Sequence, residues 1–89
     1  MKAVITVIGK DAVGILAKVS NICAEHNVNV IEVTQSVLQD VFAMIMMSDI
    51  SNCNIPLAKF ADLLNNLGDE LGLKIHVTHE DLFNSMHRI

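Results

Sequence analysis

Residues 7–33, VIGKDAVGILAKVSNICAEHNVNVIEV, decide the fold, because the hydrophobic pattern changes twice within them. Strand-forming residues run up to Gly9, and a short polar turn leads to Gly14. Beyond Gly14 the apolar residues recur at the i, i+4, i+7, i+8 spacing of an amphipathic helix. These residues are Ile15, Leu16, Val19, Ile22 and Cys23. After His26 and Asn27 the chain is β-branched again, so the stretch predicts a strand, a helix and a second strand.

The rest of the chain continues this alternation. The patterns predict strands over 2–8, 28–38, 41–50 and 73–78, and helices over 14–27 and 56–72. Gln39 and Asp40 form the tight turn of a hairpin. Pro56 suits the first turn of the second helix, where its missing N–H costs nothing, and Gly72 suits its C-terminal cap. Thr78 and Asp81 predict the start of a short terminal helix, whose apolar residues are Leu82, Phe83 and Met86.

The order β-α-β-β-α-β predicts an α+β fold, the ferredoxin-like sandwich. Its four-stranded antiparallel sheet has the order 4-1-3-2, with two helices on one face, plus the short C-terminal helix. Strands one and three are the most continuously apolar, as central strands should be. Strand three is apolar on both sides, through Met44 and Met46 on one and Ala43 and Ile45 on the other. A second subunit, the terminal helix, or both must therefore cover the other sheet face.

Composition narrows the classes of function. The chain has 89 residues, enough for one domain, and is 52% hydrophobic with only 3% aromatic residues, which predicts an aliphatic core and favours a dimer. Its net charge is −4, and its six basic residues are scattered, which argues against a nucleic-acid or anionic membrane partner. The residues before the first strand lack the pattern of a signal peptide, so we expect none, and the apolar run 41–47 is too short to span a bilayer. We expect a reduced, cytoplasmic protein.

The turn GKDAVG, residues 9–14, has two interpretations. As a plain connection, it would cap a helix that begins near Ala12, with Asp11 as the N-cap. As a pocket, the same helix start would offer free N–H groups to a carboxylate, Asp11 would hold an ammonium group, and Gly14 would allow close approach. N–H donors beside one carboxylate suit a free α-amino acid.

Other side chains predict no metal site or cofactor. His76 and His79 form an H-x-x-H pattern, but on a strand an offset of three points the two side chains to opposite faces. Neither cysteine is in register to complete a zinc site. Cys23 falls on the apolar stripe of the first helix and is expected to be buried and inert, whereas Cys53 lies on a loop.

Enzymes with this topology need residues that the chain lacks at the relevant position. An acylphosphatase-like enzyme needs an arginine in the turn after strand one, and the chain's arginine is Arg88. A copper chaperone of this fold needs CxxC in the same turn, which reads GKDAVG. No Ser-His-Asp or Cys-His arrangement stands out either, so the sequence predicts a protein that is not an enzyme.

The run GKDAVGILAKVSNICAEHNVNVIEV resembles the opening of an ACT domain, a small regulatory module that senses amino acids. D-x-x-G-I-L followed by H-N-V-N-V carries the resemblance, which covers residues 3–77. The chain is similar in particular to stand-alone bacterial ACT proteins and to the ACT domains of the glycine cleavage system transcriptional repressor. The resemblance implies an ACT domain over residues 1–79 and a helical tail over 80–89.

The resemblance also implies a ligand site. In amino-acid-binding members the turn after strand one contacts the ligand, with Asp11 foremost, and an asparagine just inside strand two reaches it from the same or the neighbouring subunit. The implied ligand-binding residues are Gly9, Lys10, Asp11, Ala12, Val13, Gly14 and Asn29. The chain departs from the family at Ala12-Val13, where Arg-Pro is frequent, and at Gly9, where some serine-binding members have a polar contact.

Two functions follow from these observations. In the first, a homodimer binds a small amino acid or similar anion and regulates an unknown partner protein. In the second, the chain is a dimerisation or protein-interaction module without a ligand.

Overall fold

A computed structural model describes residues 1–10 and 14–81. The predicted alternation of strands and helices is confirmed in its order. The elements are β1 (Lys2–Gly9), α1 (Ile15–Glu25), β2 (Asn29–Leu38), β3 (Val41–Asp49), α2 (Leu57–Leu71) and β4 (Lys74–His79).

The four strands form one antiparallel sheet in the order β2-β3-β1-β4, which is the predicted order read from the other edge. The ferredoxin-like fold is therefore confirmed. Glu80 and Asp81 begin a helical turn after β4. The predicted terminal helix is otherwise placed on 82–89, which lie outside the described residues.

A single hydrophobic core lies between the sheet and the two helices. Alternate residues of the strands point into it, as the period-2 pattern of a half-buried strand requires. From α1 it receives Ile15, Val19 and Cys23, and from α2 it receives Phe60 and Leu64. The strand residues of the core are Ala3, Ile5, Val7, Phe42, Met44, Met46 and Ile75. Both helices therefore cover the same sheet face, as predicted.

The start of α1 differs from the prediction. The helix begins at Ile15, so the N-cap is Gly14 rather than Asp11. Gly14 has φ +72°, in the left-handed region that glycine reaches without a side-chain penalty. Its C=O accepts the first helical hydrogen bond, from the N–H of Lys18 at 3.1 Å. The expectation that the helix begins near Ala12 with Asp11 as its N-cap is therefore wrong, because Gly14 directly precedes the first helical residue.

The predicted ends of the helices are confirmed. Asn27 has φ +58°, the left-handed conformation expected after α1. Gly72 has φ +71° at the end of α2, and its N–H donates to the Gly68 carbonyl. Pro56 is the N-cap of α2, one residue before the helix, and its C=O accepts hydrogen bonds from the N–H groups of Lys59 and Phe60 in the first turn.

Strand β2 contains a bulge that the alternation did not predict. The pairing with β3 shifts between Val30 and Glu32, so Ile31 is an extra residue. Strict alternation along β2 predicts that Ile31 and Val33 share one apolar face. Val33 pairs with Met46 and faces the core, but Ile31 is 49% exposed. The single inserted residue removes Ile31 from the apolar face that the sequence assigned to it.

The sheet face opposite the helices carries exposed apolar residues. Ala43 and Ile45 of β3 lie on it, so the prediction that this strand is apolar on both sides is confirmed. Its exposed large apolar residues include Ile8, Val41 and Ile45. We call this surface the open face.

Candidate functional site

Gly9 ends β1, opposite Phe42 of β3. A Cβ on Gly9 would overlap the side chain of Leu73, which is only 5% exposed. Leu73 thus fills the space that a polar side chain would need at this position. A ligand could therefore contact only the backbone of Gly9. The absence of a side chain at this position is explained by Leu73, which packs against Gly9 just before β4 begins.

Gly14 stands at the other end of the predicted ligand turn. It is exposed, and a Cβ built on it would meet nothing within 4 Å. No side chain of the described residues caps the N-terminus of α1, and no acidic residue lies in its first turn. The N–H groups at this helix start therefore have no side-chain partner among the described residues, and such groups attract a carboxylate.

Of the residues between these glycines, only Lys10 is described. It is exposed and directly follows β1. Asp11, Ala12 and Val13 lie outside the described residues, so their assignment to the ligand site stays a prediction.

Asn29 lies at the far end of the sheet from Gly9. It is exposed and pairs with Asp49, whereas Gly9 pairs with Phe42. Phe42 and Asp49 are the two ends of the paired segment of β3, seven positions apart. At about 3.3 Å per residue this separation is roughly 23 Å. One free amino acid therefore cannot contact both Gly9 and Asn29 of the same chain.

Asn29 opens onto a shallow polar depression of about 520 Å³. Its walls are Asn27, Val28 and Asn29 at the start of β2, together with Asn52 from the loop between β3 and α2. The sequence reasoning missed Asn52. The segment SNCN predicted only a loop, and nothing in its pattern places it beside β2.

Asn54 attaches this loop to the end of α1. Its backbone N–H donates to the His26 carbonyl at 3.2 Å, and its side-chain Nδ2 donates to the Glu25 carbonyl at 3.3 Å. Its Oδ1 lies 2.8 Å from Nδ1 of His26. His26 also packs edge-on against Phe60, with ring centroids 6.4 Å apart. Three polar contacts thus hold the loop against the helix end, where carbonyls lack helical partners.

The described residues contain no group of three or more histidine, cysteine or acidic side chains placed to hold a metal ion. His76 pairs with Thr6 and His79 with Ala3, so the two histidines face opposite sides of the sheet, as predicted. Nδ1 of His79 accepts a hydrogen bond from the backbone N–H of Asp81 at 3.2 Å.

Over 1–10 and 14–81, neither helix combines the length and apolarity needed to cross a membrane.

The two thiols differ in environment. Cys23 is buried, as predicted, and Cys53 is partly buried on the loop. Burial, with a smaller contribution from the nearby Cys53 thiol, raises the pKa of Cys23 to about 11. Since the thiolate is the reactive form, about one Cys23 in a thousand would be ionised at pH 8.

We therefore expect iodoacetamide at pH 8 to alkylate Cys53 well before Cys23 in the native protein. Peptide mass spectrometry at successive times would measure both rates. The unfolded protein is the control, in which the two cysteines should react at similar rates. Equal rates in the native protein would contradict the burial of Cys23.

Comparison with known proteins agrees with this fold. The ACT domain family model matches residues 2–78. A UPF0237 protein of Methanopyrus kandleri is 44% identical over 88 residues, covering 99% of this chain and 98% of that protein. The solved structure of an ACT domain protein from Streptococcus pneumoniae is 34% identical, with a TM-score of 0.80 and 93% of each chain covered.

A structure described as a putative glycine cleavage system transcriptional repressor shares the fold, with a TM-score of 0.70 and 23% identity. The match covers 86% of this chain and 44% of that one. The resemblance inferred from the sequence is therefore confirmed: the chain belongs to the ACT domain family.

Proposed function

We propose that this protein is a homodimeric regulatory module that binds a free α-amino acid between its two subunits. Members of the ACT domain family are regulatory, ligand-binding modules, typically for amino acids, and family membership points to a non-catalytic role. The observation that carries the proposal is the position of the implied ligand residues. Gly9, where the implied ligand turn begins, and Asn29 lie at opposite ends of one sheet, so a site that uses both needs two chains.

The exposed edge of β2 offers a way to bring the two ends together. β2 is a ten-residue edge strand whose described partner is β3 alone. Its other edge has backbone N–H and C=O groups that can pair with another strand. If two copies pair through β2 about a two-fold axis, the strands run in opposite directions. Asn29 of one subunit then lies at the sheet end that holds Gly9 of the other.

In this arrangement the α-carboxylate and the ammonium group of an amino acid would each have a partner of complementary charge or hydrogen-bonding capacity. The start of α1, which no side chain of the described residues caps, would offer N–H groups to the α-carboxylate. Asp11 of the same chain would hold the ammonium group, and Asn29 of the partner subunit would supply a carboxamide that donates and accepts hydrogen bonds. Binding would change the affinity of the two subunits for each other or the shape of the dimer, and a regulated protein would recognise that change.

Free thiols suit a reducing compartment, and we propose that the protein is located in the cytoplasm.

A thermal-shift panel of the twenty common amino acids identifies the ligand. A ligand at about a hundred times its Kd adds roughly 2.7 kcal/mol to the free energy of unfolding. For a domain of this size the melting temperature should rise by on the order of ten degrees. Asp11→Ala and Asn29→Ala should each abolish the shift given by the best ligand, whereas Asn66→Ala, on an exposed position of α2, should keep it.

Mixing the two inactive variants tests whether the site is shared. Asp11→Ala and Asn29→Ala chains, unfolded together and refolded, would form mixed dimers in which one of the two sites has both wild-type residues. Random assortment then restores about one site in four, measurable by calorimetry. No recovery in a mixture that forms mixed dimers would contradict a site built from two chains.

The ligand-free interaction module remains a second candidate because the open face exposes Ile8, Val41 and Ile45. Such apolar residues on a sheet suit contact with another protein. Sedimentation together with the amino-acid panel separates the two functions. A dimer that no amino acid stabilises would support the interaction module and overturn ligand binding.

A further inference from the structure

We propose that Asn52 is a second ligand-contacting side chain on the Asn29 side of the shared site, and that it selects amino acids with neutral, hydrogen-bonding side chains. This inference rests on the proposed function, because the depression at Asn29 receives a ligand only if a partner subunit closes it.

The depression has the size of a small-molecule site. Its volume of about 520 Å³ falls within the ~300–1,000 Å³ typical of ligand pockets. It is shallow within one chain, and both Asn29 from β2 and Asn52 from the loop after β3 line it. A second subunit packed along β2 would close its open side.

Both flanks of Asn52 are fixed, which prepares its side chain for contact with a ligand. On one side, the Ser51 N–H donates to the Asp49 carboxylate at 2.9 Å. On the other, Asn54 holds the loop to the end of α1 through its three polar contacts. A loop that is already ordered loses little conformational entropy when a ligand binds.

The chemistry of the wall indicates the ligand class. The described lining side chains are three carboxamides and one valine, without an ionisable group. A charged ligand side chain would lose water there and gain no opposite charge. An apolar one would leave the carboxamides without hydrogen-bond partners. Asn27 has a φ of +58°, a left-handed conformation that asparagine tolerates, so the path of the backbone explains its residue type. Asn52 does not have a positive φ, and its side chain is exposed on the loop, so it is the better candidate for a contact with the ligand.

Three amino acids of nearly the same shape test this selectivity: asparagine, leucine and aspartate. Calorimetry would measure their Kd values for wild type, for Asn52→Leu, and for the control Asn66→Leu on the exposed side of α2. We expect wild type and the control to bind asparagine about three- to tenfold more tightly than leucine, and aspartate more weakly than asparagine. Asn52→Leu should lose the preference for asparagine over leucine while still binding amino acids through Asn29.

The outcomes separate this inference from the proposed function. If Asn52→Leu keeps the wild-type preference, the inference is overturned and the shared site stands. If wild type prefers leucine or aspartate, or binds glycine and none of the three, the inference is likewise overturned. If no amino acid binds wild type at all, the proposed function fails and the inference fails with it. The wild-type series needs no substitution, so the test does not depend on the folding of a variant.

Discussion

Replacing Phe60 by alanine should lower the free energy of unfolding by about 3–5 kcal/mol. Phe60 is fully buried in the core, and its ring also contacts the His26 ring edge-on. Alanine would leave a cavity between α2 and the sheet and remove that contact. A domain of this length has a total stability of roughly 4–13 kcal/mol, so the loss is a large share of it. The melting temperature should fall by about 15–30 °C, measurable by calorimetry or circular dichroism.

Leu63 provides the matched control on the same helix. It lies three residues from Phe60. The helical spacing of Leu57, Phe60, Leu63 and Leu64 predicts that Leu63 is buried, but it is 39% exposed. Leu63→Ala should therefore cost only about 1 kcal/mol, because the leucine is partly in water already and alanine leaves no enclosed cavity. If the two substitutions cost the same, α2 would have a different orientation from the one described.

Gly68→Val should destabilise the protein by about 1–3 kcal/mol, because α2 and β4 are close together at this glycine. A Cβ on Gly68 would lie 2.8 Å from the backbone oxygen of Leu73 and 3.1 Å from Cγ1 of Ile75. A backbone oxygen cannot rotate away as a side chain can, so the helix would have to move off the strand. That movement would also strain the 2.8 Å hydrogen bond from the Leu73 N–H to the Gly68 carbonyl. Urea denaturation would measure the loss.

Asn66→Val separates this steric effect from the helix propensity of valine. Asn66 is exposed on α2, so its substitution should change the stability by no more than about 0.5 kcal/mol. Equal losses at the two positions would show that Gly68 is not at a close contact. Glycine inside a helix is ordinarily destabilising, and its presence at position 68 is thus explained by the neighbouring strand.

The sequence predicted those parts of the fold that depend on local pattern. Periodicity located the strands and helices, and the positive φ of Gly72 and Asn27 agrees with residue types that tolerate it. Two details were missed. The bulge that exposes Ile31 arises in the pairing of β2 with β3, and the N-cap of α1 is Gly14 rather than Asp11.

The candidate site was predicted less completely for a similar reason. Gly9 and Gly14 were recognised from the turn, but the overlap of a Gly9 side chain with Leu73 depends on how β4 enters the sheet. Asn29 was identified by resemblance to a family, whereas Asn52 has no motif of its own. Contacts between residues distant in the chain, such as Asn54 with His26, place Asn52 beside Asn29, and no local pattern encodes them.

Under the proposed two-chain site, the separation of Gly9 from Asn29 by the length of the sheet has a consequence for the cell. A sensor whose binding site forms only where two chains meet responds to its own abundance as well as to its ligand. At low expression most chains would be single and unable to bind, whatever the amino-acid level. Raising the rate of synthesis would then increase the sensitivity of the response without any change in the residues that contact the ligand.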